Sequence, residues 1–82
     1  MRPYETPAAL RAGALFDAEA VHWAGTHAKA NIRFAVQRAA GGEAGVLEAV
    51  VERYYKKPEL RAGTLAHLQR IVRSACAEEA GK

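Results

Sequence analysis

The sequence predicts an all-α fold, a compact bundle of about four helices in one small domain spanning residues 1–82. Three observations predict it. Apolar residues recur at three- and four-residue spacing over 46–54 and again over 65–76, the period of one helix face. Pro7 and Pro58 each stand just ahead of such a stretch, where a proline opens a helix at no cost in hydrogen bonds. Alanine, the strongest helix former and a poor strand former, supplies 19 of the 82 residues. The same alanines limit the core, because a methyl group has little surface to bury.

Taken in order, Thr6-Pro7 reads as an N-cap with proline in the first turn, opening a helix over about 7–16 with Leu10, Ala14 and Leu15 inward. Phe16-Asp17 reads as a second start, with Asp17 as cap and Phe16 stapled to Val21. Val21, Ala24, Ala28, Ile32, Ala35, Val36 and Ala39 keep helical spacing up to the Gly41-Gly42 break, with Trp23, His27 and Phe34 on flanking faces. The third helix carries the stripe Val46, Leu47, Val50, Val51 and Tyr54, with Glu52 and Lys56 four apart on another ridge. Pro58 stops it near Lys56 and opens the fourth helix, which Gly63-Thr64 would interrupt. Leu65, Leu68, Val72, Ala75 and Cys76 continue the stripe. The expected core is Val21, Ile32, Val36, Val46, Val50, Val51, Leu65, Leu68 and Val72.

One segment supports a second pattern. Asn31 to Gln37 alternates polar and apolar residues, as do Val21 and Trp23, and Gly25-Thr26 would serve as a turn. The alternative fold is therefore α+β, with a small hairpin within 20–37. The surrounding Ala, Lys and Gln favour helix.

The residues assemble no recognisable chemistry, and neither a cofactor nor a metal is expected. His22 and His27 are five apart, which puts them off a common helix face, and no carboxylate completes a set with them. Ser74 and His67 lie two helical turns apart, too far for a nucleophile and its base. Gly41-Gly42 lacks the remainder of a phosphate loop. The expectation is a non-enzymatic protein. One cysteine forms no intramolecular disulfide, the first residues lack a signal-type apolar run, and no apolar stretch reaches membrane-spanning length. These point to the cytoplasm.

Charge is where the sequence is informative. The net charge is +3, yet residues 29–73 hold nine of the twelve Lys and Arg against four Glu, between faintly acidic ends. The tract Arg53-Tyr54-Tyr55-Lys56-Lys57-Pro58-Glu59-Leu60-Arg61 packs four cations and two tyrosines around one turn. Cations there steer an anionic partner, and tyrosine supplies contact area at low entropic cost. The expected partner-binding surface is Arg53, Tyr55, Lys56, Lys57 and Arg61, with Lys29 and Arg33 as outliers. The competing view is a helix C-terminus answered by cations, with Tyr54 facing the core. The expected partner is a protein complex with an acidic or nucleic-acid-handling surface, met by a monomer or homodimer and involving no membrane. The alternative is a DNA- or RNA-binding regulator using 46–73 as a helix-turn-helix-like unit. In that unit the residues near Arg61, Ala62, Thr64, Leu65 and His67 offer few base-reading groups.

In overall character the chain resembles the small phage-encoded inhibitors, above all the anti-CRISPR proteins. The resemblance is carried by 82 residues with no catalytic set, a composition rich in Ala, Arg and Gly, and the Tyr/Lys/Arg tract at 53–61. It lies in style, without a motif, and transfers no functional residue. It implies a stoichiometric binder that sterically blocks a CRISPR effector or a similar complex. Many such inhibitors are acidic and imitate DNA, whereas this chain is basic.

Overall fold

The computed structural model describes all 82 residues apart from the side chain of Ala20. It is all-α: a 3₁₀ turn at Pro3–Glu5 precedes α1 (Pro7–Ala18), α2 (Ala20–Trp23), α3 (Lys29–Ala40), α4 (Gly45–Tyr54) and α5 (Pro58–Ala80). Four helices have ten residues or more and α2 is a single turn. No strand occurs among the described residues, so the hairpin alternative over 20–37 is set aside. α3 is the hub, lying against α1, α4, α5 and the 3₁₀ turn. α5, about 35 Å long at the usual helical rise, sets the 38 Å long axis of the molecule.

α1 begins as expected, with the Thr6 hydroxyl accepting from the Ala9 N–H at 3.1 Å and Pro7 in the first turn. Its buried face differs from expectation. Ala9, Ala12, Gly13 and Phe16 point inward, while Leu10 is 59% exposed, Ala14 is exposed and Leu15 is half-buried. Small residues win that face because α3 crosses close by. A side chain at Gly13 would stand 2.9 Å from the Gln37 amide nitrogen. Phe16 then supplies the bulk that the alanines lack.

The expected second helix is split. Glu19 leaves helical geometry after α1, and Gly25 takes a φ of +82° between α2 and α3, a conformation that favours glycine. The break rotates the chain so that Trp23, expected on a flank, is 2% exposed and stacks on Phe16 with ring centroids 4.9 Å apart. Val21, expected in the core, is 91% exposed. A stacked indole buries far more surface than a valine, so the single turn of α2 presents Trp23 inward. Asp17 does not cap; its carboxylate accepts from Arg33.

The remaining elements follow the sequence closely. Ile32 and Val36 of α3, Leu47 and Val51 of α4, and Leu68, Ile71 and Ala75 of α5 form the core, with Val46, Val50, Leu65 and Val72 packed around it. α4 ends at Tyr54 rather than Lys56, because Tyr55 is extended and turns its ring toward residues 26–28. The helical pairing of Glu52 with Lys56 is thereby lost. α5 runs through Gly63-Thr64 without interruption. Cys76 is exposed, and Ala75 takes the inward position beside it.

Candidate functional site

α4 and α5 are joined by three residues, Tyr55, Lys56 and Lys57. The link is tight because Tyr55 is held in extended geometry and Pro58 keeps Lys57 extended before α5 opens. This projects Lys56 and Lys57 into solvent, with Arg53 exposed on the last turn of α4 and Arg61 half-exposed on the first turn of α5. Tyr55 is half-buried, lining a small hollow with Thr26, His27, Ala28 and Tyr54. His27, expected on a flanking face, is exposed.

The ion pairs show which cations are already occupied. Arg33 forms a two-pronged bond to Asp17, with Nε and Nη2 donating to Oδ1 and Oδ2 at 2.8 Å each. Arg11 pairs with Glu78, Arg38 with Glu43, and Lys82 with Glu79. Hydrogen bonding from the guanidinium holds the Asp17, Glu43 and Glu78 carboxyls below their ordinary range. Among the described residues, no carboxylate pairs with Arg53, Lys56, Lys57, Arg61 or Lys29. Four of the expected cations, Arg53, Lys56, Lys57 and Arg61, thus lie around one turn without an ion pair, with Tyr55 half-buried between them. Arg33 is withdrawn from it, since its charge ties α3 to α1. Lys29 stands one helical turn before Arg33 and acts on the same Asp17, so it too belongs to the α1 side.

Beside the basic turn, α3 and α4 enclose a groove of about 310 Å³. Ala35, Val46, Ala49 and Val50 form its floor, and Phe34 and Tyr54 are its walls. Each wall carries an arginine: Arg38 lies 5.7 Å from the Phe34 ring centre and Arg53 lies 5.5 Å from that of Tyr54. Asn31 donates to the Tyr54 hydroxyl at 2.6 Å, fixing that wall. No acidic side chain lines the groove, because Glu48 and Glu52 turn to the opposite side of α4 and line the groove facing α5. The sequence pattern marks the floor as core and gives no sign of an open groove. Only Phe34, which the helical spacing puts on a flanking face, hints at it.

A second cluster was invisible in the sequence. His67 on α5 bonds Glu19 through Nε2 at 2.9 Å, and its ring stacks on His22 at 4.8 Å. Both rings border Trp23, whose buried indole N–H has no acceptor. The other His67 nitrogen faces Arg70 at 3.5 Å. Ser74 lines the same cleft as Glu19, His67 and Arg70. The stacked rings join α2 to α5. Among the described residues, no group of three or more His, Cys, Asp or Glu side chains is placed to hold a metal ion, and no helix is long and apolar enough to cross a membrane.

Compared with protein-family models, with curated proteins and with solved structures, the chain matches none.

Proposed function

We propose that this protein is a non-enzymatic binding module that engages an anionic protein surface through the turn between α4 and α5. One observation carries the reading: Arg53, Lys56, Lys57 and Arg61 converge on a three-residue link without a carboxylate partner, while the cations of Arg11, Arg33 and Arg38 are bound internally. A cluster of this kind, most exposed at Lys56 and Lys57, speeds association with an oppositely charged surface and fixes its orientation. Tyr55 and the ring wall at Tyr54 add contact area beside it. In its most concrete form the module is a phage-type inhibitor, anti-CRISPR-like, that blocks a CRISPR effector or a comparable nucleic-acid-handling complex by occupying its surface. Small size, a helical body and the basic, tyrosine-bearing turn support that form.

The rival is a DNA- or RNA-binding regulator. The three-residue link between α4 and α5 has the length of a helix-turn-helix turn. The side chains give it limited support: on the first turns of α5, Arg61, Glu59 and Thr64 can reach a base edge, whereas Leu60, Ala62 and Gly63 offer no hydrogen-bonding group.

A panel of purified CRISPR effector complexes, assayed for target-DNA binding with and without this protein, tests the inhibitor. Inhibition of at least one effector is expected, weakened about tenfold in Lys56→Ala/Lys57→Ala by the loss of two charge contacts. Full inhibition by a correctly folded double variant refutes the assignment to the turn. A gel-shift titration tests the rival, which requires strong, salt-dependent duplex or RNA binding by the protein alone.

A further inference from the structure

The α3–α4 groove has the chemistry of a receptor for one side chain. At about 310 Å³ it lies at the lower limit of ligand pockets, which suits one or two side chains better than a cofactor. Its floor is aliphatic, and its lining includes two arginines and no carboxylate. Glu43 offsets Arg38, whereas Arg53 has no acidic partner among the described residues and is shared with the basic turn. The neighbouring groove between α4 and α5 is larger, about 410 Å³, but sets Glu48 and Glu52 against Arg61. Charge therefore distinguishes the two grooves, and only the first favours an anionic visitor.

The walls also decide which anion fits. A nucleobase needs a free aromatic face to stack on. Here Arg38 lies over Phe34 and Arg53 over Tyr54, and Tyr4 meets Phe34 at 5.1 Å. The one amide able to read a base edge, Asn31, already donates to Tyr54. What stays open is the aliphatic floor, and Phe34 at its rim is 44% exposed.

We infer that this groove seats a bulky aliphatic side chain, such as leucine, from an acidic protein segment whose carboxylates reach Arg53 and the basic turn. The inference rests on the reading that the partner is an anionic protein. It adds the anchor that such a partner must carry. Binding energy at interfaces concentrates where one side chain fills a desolvated pocket inside a polar rim.

Fluorescence anisotropy with two labelled synthetic peptides tests it. Both are rich in Asp and Glu; one has a single central leucine and the other alanine at that place. The leucine peptide is expected to bind about tenfold tighter, the advantage of burying the larger side chain. Ala49→Glu, an exposed helical position on the groove floor, is expected to erase that preference, whereas Ala49→Gln retains most of it. Lys56→Ala/Lys57→Ala is expected to weaken both peptides alike. Circular dichroism of each variant confirms that the helices are intact. Equal affinity for the two peptides overturns the groove assignment and leaves the basic turn standing. Binding of a DNA oligonucleotide but of neither peptide, or of none of the three, overturns both.

Discussion

Glycine positions show how much one methyl group decides in a chain this short. Gly41 ends α3 where the N-terminal 3₁₀ turn folds back over it. A Cβ built there would stand 1.8 Å from the Pro3 carbonyl oxygen, with backbone rather than a pliant side chain in the way. Gly41→Ala must therefore displace the N-terminal turn, and a loss of about 1–3 kcal/mol is expected in urea unfolding. Gly63 is the opposite case. It lies inside α5 with nothing within 4 Å of its would-be Cβ and no positive φ. Gly63→Ala is expected to stabilise by about 0.5–1 kcal/mol, since alanine reduces the freedom of the unfolded chain. Measured together, the two substitutions separate close packing from conformational entropy. If Gly41→Ala leaves the urea midpoint unchanged, the 3₁₀ turn is not packed on α3 as described. Phe16 works at the same scale by volume, as the largest fully buried side chain and the platform for Trp23. Phe16→Ala is expected to cost about 3–5 kcal/mol, enough to unfold a domain of this size.

At the scale of elements, the ion pairs act as clips between helices, and their titration has a definite sign. The Asp17–Arg33 clip joins α1 to α3, and the Arg11–Glu78 clip joins α1 to α5. Asp17 titrates lower in the folded chain than in the unfolded one, chiefly through the hydrogen bond from Arg33. The unfolded state therefore takes up its proton first as acid is added. The clip's contribution is complete above the ordinary carboxylate range near pH 4 and is lost as pH falls through the lower folded value. The pair is half-exposed, so about 1 kcal/mol or less is at stake. Asp17→Asn is expected to flatten the decline of the urea midpoint below about pH 4, and an unchanged acid limb in that variant removes the clip from the account. The elements also show why some of this structure was legible and some was not. α4 and α5 were readable because Val46, Leu47, Val50, Val51, Leu68 and Val72 leave little choice of face. α1 was misread because alanines lie on every side of it, so a face lined by Ala9, Ala12 and Gly13 has no larger apolar signal than its neighbours. The break at 24–28 was hidden because Ala24, Ala28 and Ile32 happen to keep helical spacing across it. The basic turn was legible because its four cations fall within nine residues of the chain. The His22–His67–Glu19 cluster was not, since Glu19 and His67 are 48 residues apart and meet only once α1 lies against α5.

For the molecule as a whole, the distribution of charge separates what holds the fold from what reaches outward. The core contains no buried polar or charged residue among those described, and every ion pair between lysine or arginine and a carboxylate is at least partly exposed. Exposed pairs contribute about 0–1 kcal/mol each, so the fold rests on Phe16, Trp23, Ile32, Val36, Leu68 and their neighbours. The unpaired cations of the α4–α5 turn add little to that fold. Their interaction with an anionic partner extends through solvent and is screened by salt over a Debye length of about 10 Å at 0.1 M. Stability and association should therefore respond differently to ionic strength. Raising sodium chloride from about 0.05 M to about 0.5 M is expected to shift the urea midpoint only slightly. The same change is expected to slow association with an acidic peptide by tenfold or more, in the manner of electrostatically steered encounters. Lys56→Ala/Lys57→Ala should keep the wild-type urea midpoint at both salt concentrations while losing most of the salt dependence of the on-rate. Stopped-flow anisotropy alongside equilibrium unfolding measures both quantities. A double variant whose on-rate and salt dependence match the wild type would place the steering charge elsewhere, with Arg70 and Arg73 on α5 the next cations to substitute.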